Sequence, residues 1–437
     1  MERITVFDRR YGDAGHYRIP SVVTTKHGTM VACADSRYYG AGDNPNRIDK
    51  IVRRSTDGGK TWGEAIYPVR EHGTSKMRAS AAIDPVMVYD PNRDVITMMY
   101  CHTPAGVGIL SCNKGVAMRS DGAISMQMGS KRYWRLTDGN VVTKSGKPTQ
   151  YRVDADGTTY CGDTRIGNCY TGEGALQEQK TAFLMMTQSS DDGLTWSEPV
   201  CLNAQVKAPY MGFIGPGPGV GICVKEGKYA GRLVMPMYYN TGSGFILMLS
   251  CAVIYSDDGG ATWHRGVSPN VTRARFPRTD KFVLPNDMLT ESQLIELPGG
   301  DLRLFMRNHS GKRLIAIAES KDGGDHWQNY RHHADLPQCI CQCCVLNIMD
   351  GDRPATLFLN AASKRERKNG VLRLSYDYGE TYEHSACIKE GGFVYSCIAQ
   401  MADGSIGILY ETSTEHEQID FLRMTLDEFK EMQAWTN

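Results

Sequence analysis

The 437-residue sequence predicts an all-β repeat protein, a β-propeller of four-stranded blades, on three observations. A short pattern, Ser-x-Asp-x-Gly-x-Thr-Trp, occurs five times along the chain with small variations. Each copy follows an apolar run of the length and composition that are typical of a β-strand. With one exception, successive copies are separated by roughly 55–65 residues, which suits one propeller blade.

The five copies of this pattern, called boxes below, differ in two positions. His326 takes the place of the threonine in the fourth box, and Tyr382 takes the place of the tryptophan in the fifth. The boxes span residues 55–62, 189–196, 256–263, 320–327 and 375–382, and the apolar runs before them span 50–53, 182–186, 251–255, 314–317 and 371–374.

The residue types of a box favour a hairpin turn. The aspartate can accept backbone N–H bonds across the turn, and the glycine tolerates a positive φ. The tryptophan can pack under the next strand and fix the angle of the hairpin. We therefore expect the boxes to be structural and to lie away from any bound substrate.

The one irregular spacing lies between the first and second boxes, where the gap is about twice the repeat. Residues 115–174 are rich in glycine, threonine and tyrosine and contain turn sequences such as 137–140 and 154–157. We expect an extended loop or a blade without a box around 104–185, inside a single domain that spans 1–437. A threonine cap and acidic residues predict a short helix at 425–432.

Composition excludes several classes of function. Lys+Arg and Asp+Glu both number 49, so no basic field would attract nucleic acid. No apolar stretch approaches the roughly 18–20 residues that span a bilayer. The first seven residues lack the apolar core of a signal peptide, so we expect a protein that stays inside the cell or one whose leader has been removed.

Two other patterns have structural interpretations. The 14 cysteines include a cluster at Cys339, Cys341, Cys343 and Cys344, whose spacing is unusual for zinc and is typical of buried thiols in a strand. Without a leader we expect these cysteines to be reduced. The glycine-rich segment 215–221 is interrupted by prolines and lies between strands, which argues against a nucleotide-binding loop.

Outside the boxes, the segment Tyr17-Arg18-Ile19-Pro20 completes a second signature. Five boxes together with this motif resemble the bacterial exo-α-sialidases, and the resemblance runs from about Arg18 to the C-terminus. It implies a six-bladed β-propeller and an enzyme that releases terminal sialic acid. The implied substrates are sialylated oligosaccharides, glycoproteins or glycolipids, with no cofactor and no metal.

The resemblance also implies three arginines that hold the substrate carboxylate. Arg18 and Arg307 match two of them, and Arg367 matches the third by its place before Asn-Gly, with Arg365 as the competing assignment. The assignment is chemically reasonable, because a guanidinium group can bind a planar carboxylate with two parallel hydrogen bonds.

The catalytic residues follow from the same resemblance. Tyr395 matches the nucleophile, Glu291 its partner, and Asp43 the general acid and base, with Asp49 and Asp35 as alternatives for Asp43. A neutral phenol avoids the repulsion that a carboxylate would meet at an anomeric centre that already bears a carboxylate. The implied reaction is hydrolysis with retention of the anomeric configuration.

Two further residues, Arg37 and Asp84, match positions that line the sugar pocket near O4 and the N-acyl group. Three other functions stay open on the sequence. The covalent intermediate could be transferred to a sugar hydroxyl or to the substrate's own hydroxyl, which would give an anhydro product. The preferred sugar could be a deaminated or O-acetylated relative of sialic acid, or the chain could be a non-catalytic binding module.

Overall fold

The computed structural model describes residues 1–273 and 279–435, and the prediction of an all-β fold is confirmed. The described residues form 35 strands and three short α-helices, together with 3₁₀ turns at Gly227–Tyr229, Pro285–Asp287 and Pro298–Gly300. The helices are α1 (Asn203–Val206), α2 (Pro269–Arg273) and α3 (Leu426–Lys430). The strands are β1 (Glu2–Phe7), β2 (His16–Thr24), β3 (Met30–Arg37), β4 (Ile48–Ser55), β5 (Ile66–Val69), β6 (Gly73–Ser75), β7 (Arg78–Ala79), β8 (Ala81–Asp90), β9 (Val95–Thr103), β10 (Ile124–Met128), β11 (Lys131–Arg135), β12 (Asn140–Thr143), β13 (Pro148–Val153), β14 (Thr158–Cys161), β15 (Thr164–Asn168), β16 (Gln177–Glu178), β17 (Phe183–Ser189), β18 (Val200–Cys201), β19 (Ile214–Pro216), β20 (Gly219–Val220), β21 (Ile222–Cys223), β22 (Leu233–Asn240), β23 (Leu249–Ser256), β24 (His264–Arg265), β25 (Leu289–Glu296), β26 (Leu302–Asn308), β27 (Leu314–Ser320), β28 (Gln328–Pro337), β29 (Cys343–Asp350), β30 (Arg353–Ala361), β31 (Lys368–Ser375), β32 (His384–Gly392), β33 (Ser396–Gln400), β34 (Ile406–Glu411) and β35 (Ile419–Met424).

The strands form small antiparallel sheets in a propeller-like arrangement. Three four-stranded sheets have the orders β1-β35-β34-β33, β25-β26-β27-β28 and β29-β30-β31-β32, and a five-stranded sheet is built around β22 and β23. A nine-stranded sheet contains β2 to β5, β8, β9, β17, β18 and β20. Because β1 pairs with β35, strands from the two ends of the chain share one sheet.

The boxes form the turns that their residue types predict. In the first box the Ser55 hydroxyl donates to Asp57 at 2.8 Å and accepts the N–H of Gly59 at 2.8 Å. Asp57 also accepts the N–H of Thr61 at 2.9 Å, and the same contacts recur in the other four boxes. Trp62 packs edge-on against Phe421 of β35, with ring centroids 5.3 Å apart, so a box connects neighbouring sheets.

The segment between β9 and β17 forms a seven-stranded sheet of its own, with the order β15-β14-β13-β12-β11-β10-β16. Its apolar core contains Met126, Tyr133 and Val141, among others. Since β9 and β17 pair directly with each other, this sheet lies outside the sheet that they belong to. We refer to it as the inserted sheet.

A buried charged cluster attaches the inserted sheet to the rest of the molecule. His102 of β9 contacts Glu71 at 2.8 Å and Glu178 of β16 at 3.1 Å, and Arg135 of β11 lies 3.1 Å from Glu178. Burial opposes the charge on His102, but the two carboxylates outweigh it and raise its pKa to about 10. A protonated histidine therefore bridges one carboxylate on each side of this junction.

The helix that the sequence predicts near its end is present as α3. Thr425 accepts the backbone N–H of Glu428, and the Glu428 side chain accepts the N–H of Thr425, which is a capping box. Among the described residues, no helix is both long enough and apolar enough to cross a membrane.

Candidate active site

The residues that the sequence singles out lie on different sheets and meet at one place. Arg18 is on β2, Asp43 on the loop between β3 and β4, and Glu291 and Arg307 on β25 and β26. Arg367 and Tyr395 lie just before β31 and β33. The contacts described next join all six into one cluster.

Tyr395 is at the centre of the cluster. Its hydroxyl donates a hydrogen bond to Glu291 Oε1, and Arg307 Nη1 donates to Glu291 Oε2 at 2.6 Å and to the tyrosine hydroxyl at 2.9 Å. Burial, followed by the charge of Glu291, raises the pKa of Tyr395 well above its ordinary value, although Arg307 and Arg367 oppose the rise. The phenol of Tyr395 is therefore neutral, and its hydrogen bond leads to a carboxyl group of Glu291 that can accept its proton.

Two more guanidinium groups lie near the Tyr395 ring. The Cζ atom of Arg18 is 5.4 Å from the ring centroid, and that of Arg367 is 5.7 Å from it. Arg365, the competing assignment, is exposed and lines a surface groove with Lys364, Lys368 and Trp435. The geometry therefore places Arg367, rather than Arg365, beside Tyr395.

Glu411 is a residue that the sequence reasoning missed. It is fully buried at the end of β34 and accepts the backbone N–H of Ile19 at 2.9 Å. It also lies 3.4 Å from Arg18 Nε and 2.9 Å from His416 Nδ1, so it fixes the position of Arg18. The available signal was a single acidic residue directly after the apolar run 406–410.

Asp43 is held by two arginines in this structure. Its Oδ1 atom lies 2.7 Å from Arg37 Nη1 and 3.4 Å from Arg18 Nη1, and 64% of its side chain is exposed. The surrounding protein partly desolvates Asp43 despite this exposure and opposes its ionisation, but the charges of Arg37 and Arg18 outweigh that effect and lower the pKa to about 2. The charges of the two arginines therefore favour the ionised carboxyl group, and its exposure makes it accessible to a ligand.

The alternatives to Asp43 have structural partners. Asp35 is fully buried and forms ion pairs with Arg37 and with Lys50. Asp49 is also fully buried and accepts from Tyr38 at 2.9 Å, as well as from a backbone N–H at 2.9 Å. Neither carboxylate is free to reach a substrate, which distinguishes them from Asp43.

Asp84 is buried beside the cluster. Tyr238, a second residue that the sequence reasoning missed, donates to Asp84 Oδ2 at 3.0 Å, and no local motif marks this tyrosine. Burial is the main cause that raises the pKa of Asp84 to about 8. The negative charges of Asp35, Asp43 and Glu291 raise it further. The raised pKa favours the protonated carboxyl group, which can donate a hydrogen bond to a ligand.

A possible metal-binding group lies elsewhere. Ligand atoms of His27, Asp94 and Asp192 lie within 4.8 Å of one another. Asp192 belongs to the second box, and Lys26 Nζ already contacts Asp94 at 3.1 Å. The three side chains contribute nothing to the cluster around Tyr395.

The propeller-like arrangement of small sheets and the five box turns define the class of the protein as a β repeat protein. The chain belongs to the BNR repeat-like domain family, whose family model matches residues 164–408. The repeat architecture that the sequence predicts is confirmed at this level.

Similar proteins include sialidases from several organisms. The chain is 26% identical to the anhydrosialidase of Macrobdella decora over 91% of this chain and 58% of that protein. It is 27% identical to a sialidase of Bacteroides fragilis (strain YCH46) over 95% of this chain and 63% of that protein. The chain thus spans about three fifths of the length of these curated relatives.

Solved structures show the same fold. The leech intramolecular trans-sialidase in complex with 2,7-anhydro-Neu5Ac has a TM-score of 0.83 at 23% identity, covering 98% of this chain and 71% of that chain. The intramolecular trans-sialidase of Ruminococcus gnavus in complex with oseltamivir carboxylate has a TM-score of 0.82 at 24% identity and covers 98% of both chains.

Proposed function

We propose that this protein is an exo-α-sialidase that releases terminal sialic acid from oligosaccharides, glycoproteins or glycolipids. The observation that carries the proposal is the hydrogen bond from buried Tyr395 to Glu291, with Arg18, Arg307 and Arg367 around it. This arrangement suits a substrate that brings its own carboxylate to the anomeric carbon.

The three arginines bind that carboxylate in the proposal. Arg307 Nε is buried and has no hydrogen-bond partner, so it keeps a donor for a ligand. Glu411 positions Arg18 through an ion pair with its Nε atom. The substrate anion would meet a site in which positive groups are already oriented, so little reorganisation is needed.

Tyr395 acts as the nucleophile. Its proton passes to Glu291 as the phenol oxygen bonds to C2 of the sugar and the bond from C2 to the leaving oxygen breaks. Arg307 contacts both the phenol oxygen and Glu291, so it stabilises the charge that shifts between them. The intermediate is a sugar joined to the tyrosine oxygen, which allows overall retention after a second displacement.

Asp43 donates a proton to the leaving oxygen and later takes one from the attacking water. Its low pKa depends on the charges of Arg37 and Arg18. A substrate carboxylate at Arg18 neutralises part of that positive field, which raises the pKa of Asp43 and favours its protonated form. Substrate binding would therefore prepare the acid that the first step needs.

Arg37 and Asp84 are the proposed residues of the sugar pocket. Arg37 is fully buried between Asp35 and Asp43, so it can orient the loop that carries the acid. A protonated Asp84 offers a hydrogen-bond donor to a sugar oxygen, and Tyr238 holds it in place.

We also propose six blades within one catalytic domain of residues 1–437. In the nine-stranded sheet, β4 and β8 are joined by a single parallel pair, Ile48 with Ala81, while the flanking pairs are antiparallel. Counting this sheet as two blades, together with the three four-stranded sheets and the five-stranded sheet, gives six blades. The inserted sheet then extends the rim of the domain and is the place where we expect linkage preference to be set.

Intramolecular transfer to an anhydro product is the second candidate function. It is favoured by the leech and Ruminococcus gnavus intramolecular trans-sialidases, whose structural match covers 98% of this chain and therefore most of the inserted sheet. The two candidates differ only in which hydroxyl attacks the intermediate, that of water or one of the sugar itself.

One experiment tests the proposal and separates the two candidates. Purified protein is incubated with 3′-sialyllactose and with a fluorogenic methylumbelliferyl sialoside in the presence of a chelator, and the sugar product is followed by proton NMR. Hydrolysis gives the α-anomer of sialic acid first, whereas transfer gives an anhydro sugar. Absence of product from both substrates would contradict both candidates.

A further inference from the structure

The cysteine-rich segment 338–344 supports the backbone on both sides of Tyr395. The Cys341 thiol donates to the carbonyl oxygen of Val394 at 3.4 Å. Gln342 accepts the N–H of Ser396 at 3.2 Å and donates to the Ser396 carbonyl at 3.0 Å. Two consecutive residues of this segment therefore hold the residues before and after the proposed nucleophile.

Cys339 and Cys341 lie side by side within this segment. A single residue, Ile340, separates them in the chain, and it has a φ of 58°. A positive φ is unusual for a β-branched residue, so the chain is folded back here and is not an extended strand. The Ile340 carbonyl lies 3.4 Å from Arg367 Nη2, which joins the segment to the arginine cluster.

The two thiols differ in reactivity. The neighbouring Cys341 side chain is the main cause that lowers the pKa of Cys339 to about 7, and the charges of Arg367 and Arg307 add to it against the effect of burial. Burial raises the pKa of Cys341 well above its ordinary value. Cys339 is 8% exposed and Cys341 is 3% exposed, so Cys339 offers a thiolate to a small reagent.

We propose that Cys339 and Cys341 form an oxidisable dithiol, which a hydroperoxide converts to a disulfide that slows the enzyme by displacing the backbone at Tyr395. The effect on turnover rests on the proposed sialidase function, whereas the oxidation does not. All 14 cysteines are free in the structure, so the dithiol is in its reduced form here.

The chemistry needs only the hydroperoxide. The Cys339 thiolate attacks the hydroxyl oxygen of the peroxide, the O–O bond breaks, and the other oxygen leaves as hydroxide or alkoxide, which takes a proton from the solvent; the product is a sulfenic acid. The Cys341 sulfur then attacks the Cys339 sulfur, and the departing hydroxide takes the Cys341 proton and leaves as water. Two thiols lose two electrons in total, and the hydroperoxide gains them.

The disulfide changes the surroundings of Tyr395 in two ways. A disulfide sulfur carries no hydrogen, so the Val394 carbonyl loses the donor that Cys341 supplies. The thiolate of Cys339 also disappears from beside Arg307 and Arg367. We expect turnover to fall at least about tenfold, because a displacement of about 1 Å at a reacting group can cost roughly a hundredfold.

The first test requires no substrate. The full chain is treated with hydrogen peroxide, quenched with catalase and blocked with N-ethylmaleimide, and the disulfide is located by fragment-ion mass spectrometry. We expect the loss of two hydrogen atoms, with the bond between Cys339 and Cys341. If these two residues are still reduced after Cys112, Cys161 or another half-buried cysteine has been oxidised, the proposal is overturned.

The second test follows turnover of a methylumbelliferyl sialoside. Peroxide should inactivate the wild type and dithiothreitol should restore it, while Cys339→Ser, or Cys339→Ala if the serine variant does not fold, keeps its activity after peroxide. Cys161→Ser, a control in the inserted sheet, should be inactivated like the wild type.

A disulfide between Cys339 and Cys341 that leaves turnover unchanged would overturn the proposed effect on Tyr395. An inactive wild type would count against the sialidase proposal, and the disulfide mapping would still be informative.

Discussion

At the scale of single residues, Tyr395 is tested most directly. Tyr395→Phe keeps the ring and removes the oxygen that bonds to Glu291, so the protein should fold with turnover reduced by at least about a thousandfold. Glu291→Gln should show a similar loss, because an amide cannot take the phenol proton. Turnover is measured with a fluorogenic sialoside and folding by circular dichroism. A Tyr395→Phe variant with the wild-type rate would refute the assignment of the nucleophile.

The two candidate arginines give a matched pair of variants. Arg367→Ala removes a guanidinium group beside Tyr395 and should raise KM or lower kcat/KM by about a hundredfold, in line with roughly 3 kcal/mol for a charged hydrogen bond. Arg365→Ala removes an exposed charge and should change kcat/KM less than about twofold. Steady-state kinetics on both variants measures these two losses of kcat/KM. A larger loss in Arg365→Ala than in Arg367→Ala would assign the third carboxylate-binding arginine to Arg365.

The raised pKa of Asp84 should make the free energy of unfolding depend on pH. Its folded-state pKa of about 8 lies above the ordinary value of 3.8, so the contribution to stability is fully present below about pH 4 and is lost as the pH rises towards about 8. Asp84→Asn removes this loss, and its Tm advantage over the wild type should grow between these pH values. Thermal unfolding of both proteins across this range checks it, and parallel Tm curves would contradict the predicted shift.

At the scale of the element, the first box offers two neighbouring glycines with similar backbone and different surroundings. Gly58 and Gly59 have φ values of 71° and 81°. A Cβ on Gly59 would clash with the Phe421 ring, whereas a Cβ on Gly58 would meet nothing within 4 Å. Strain should therefore cost about 1 kcal/mol in both alanine variants, and overpacking should add about 1–3 kcal/mol in Gly59→Ala alone.

Urea unfolding of the two alanine variants measures this difference in the free energy of unfolding. Equal losses would show that the box turn does not need its close contact with β35. The larger loss in Gly59→Ala would indicate that the boxes couple neighbouring sheets, as the packing of Trp62 on Phe421 also indicates.

At the scale of the whole molecule, β1 is the strand through which the start of the chain joins the last sheet. Phe7 is fully buried at the end of β1 and is stacked on Tyr17, with ring centroids 6.3 Å apart. Phe7→Ala should therefore destabilise the protein by about 3–5 kcal/mol through a cavity at this junction. Phe245→Ala is the control, because Phe245 is 95% exposed.

Calorimetry and tryptophan fluorescence should report one transition that moves to lower temperature in Phe7→Ala and stays in place in Phe245→Ala. If Phe7→Ala instead produced a separate early transition, the sheet of β1, β33, β34 and β35 would unfold independently of the others.

The sequence by itself determined the repeat, the box turns, the class of the fold and the residues proposed for chemistry. Turns and strands depend on neighbours in the chain, so spacing and residue type were sufficient to predict them. The site residues were named by resemblance to a family, and this left Arg365 and Arg367 as alternatives.

Only the tertiary structure decided which charges meet. Glu411 and Tyr238 have no local signature, because their roles depend on contacts with Arg18 and Asp84 from distant strands. The inserted sheet likewise became visible only through the direct pairing of β9 with β17. Electrostatic fields and burial arise from the packing of sheets that are far apart in sequence, so the protonation states of Asp43, Asp84 and Cys339 could not be inferred from the chain alone.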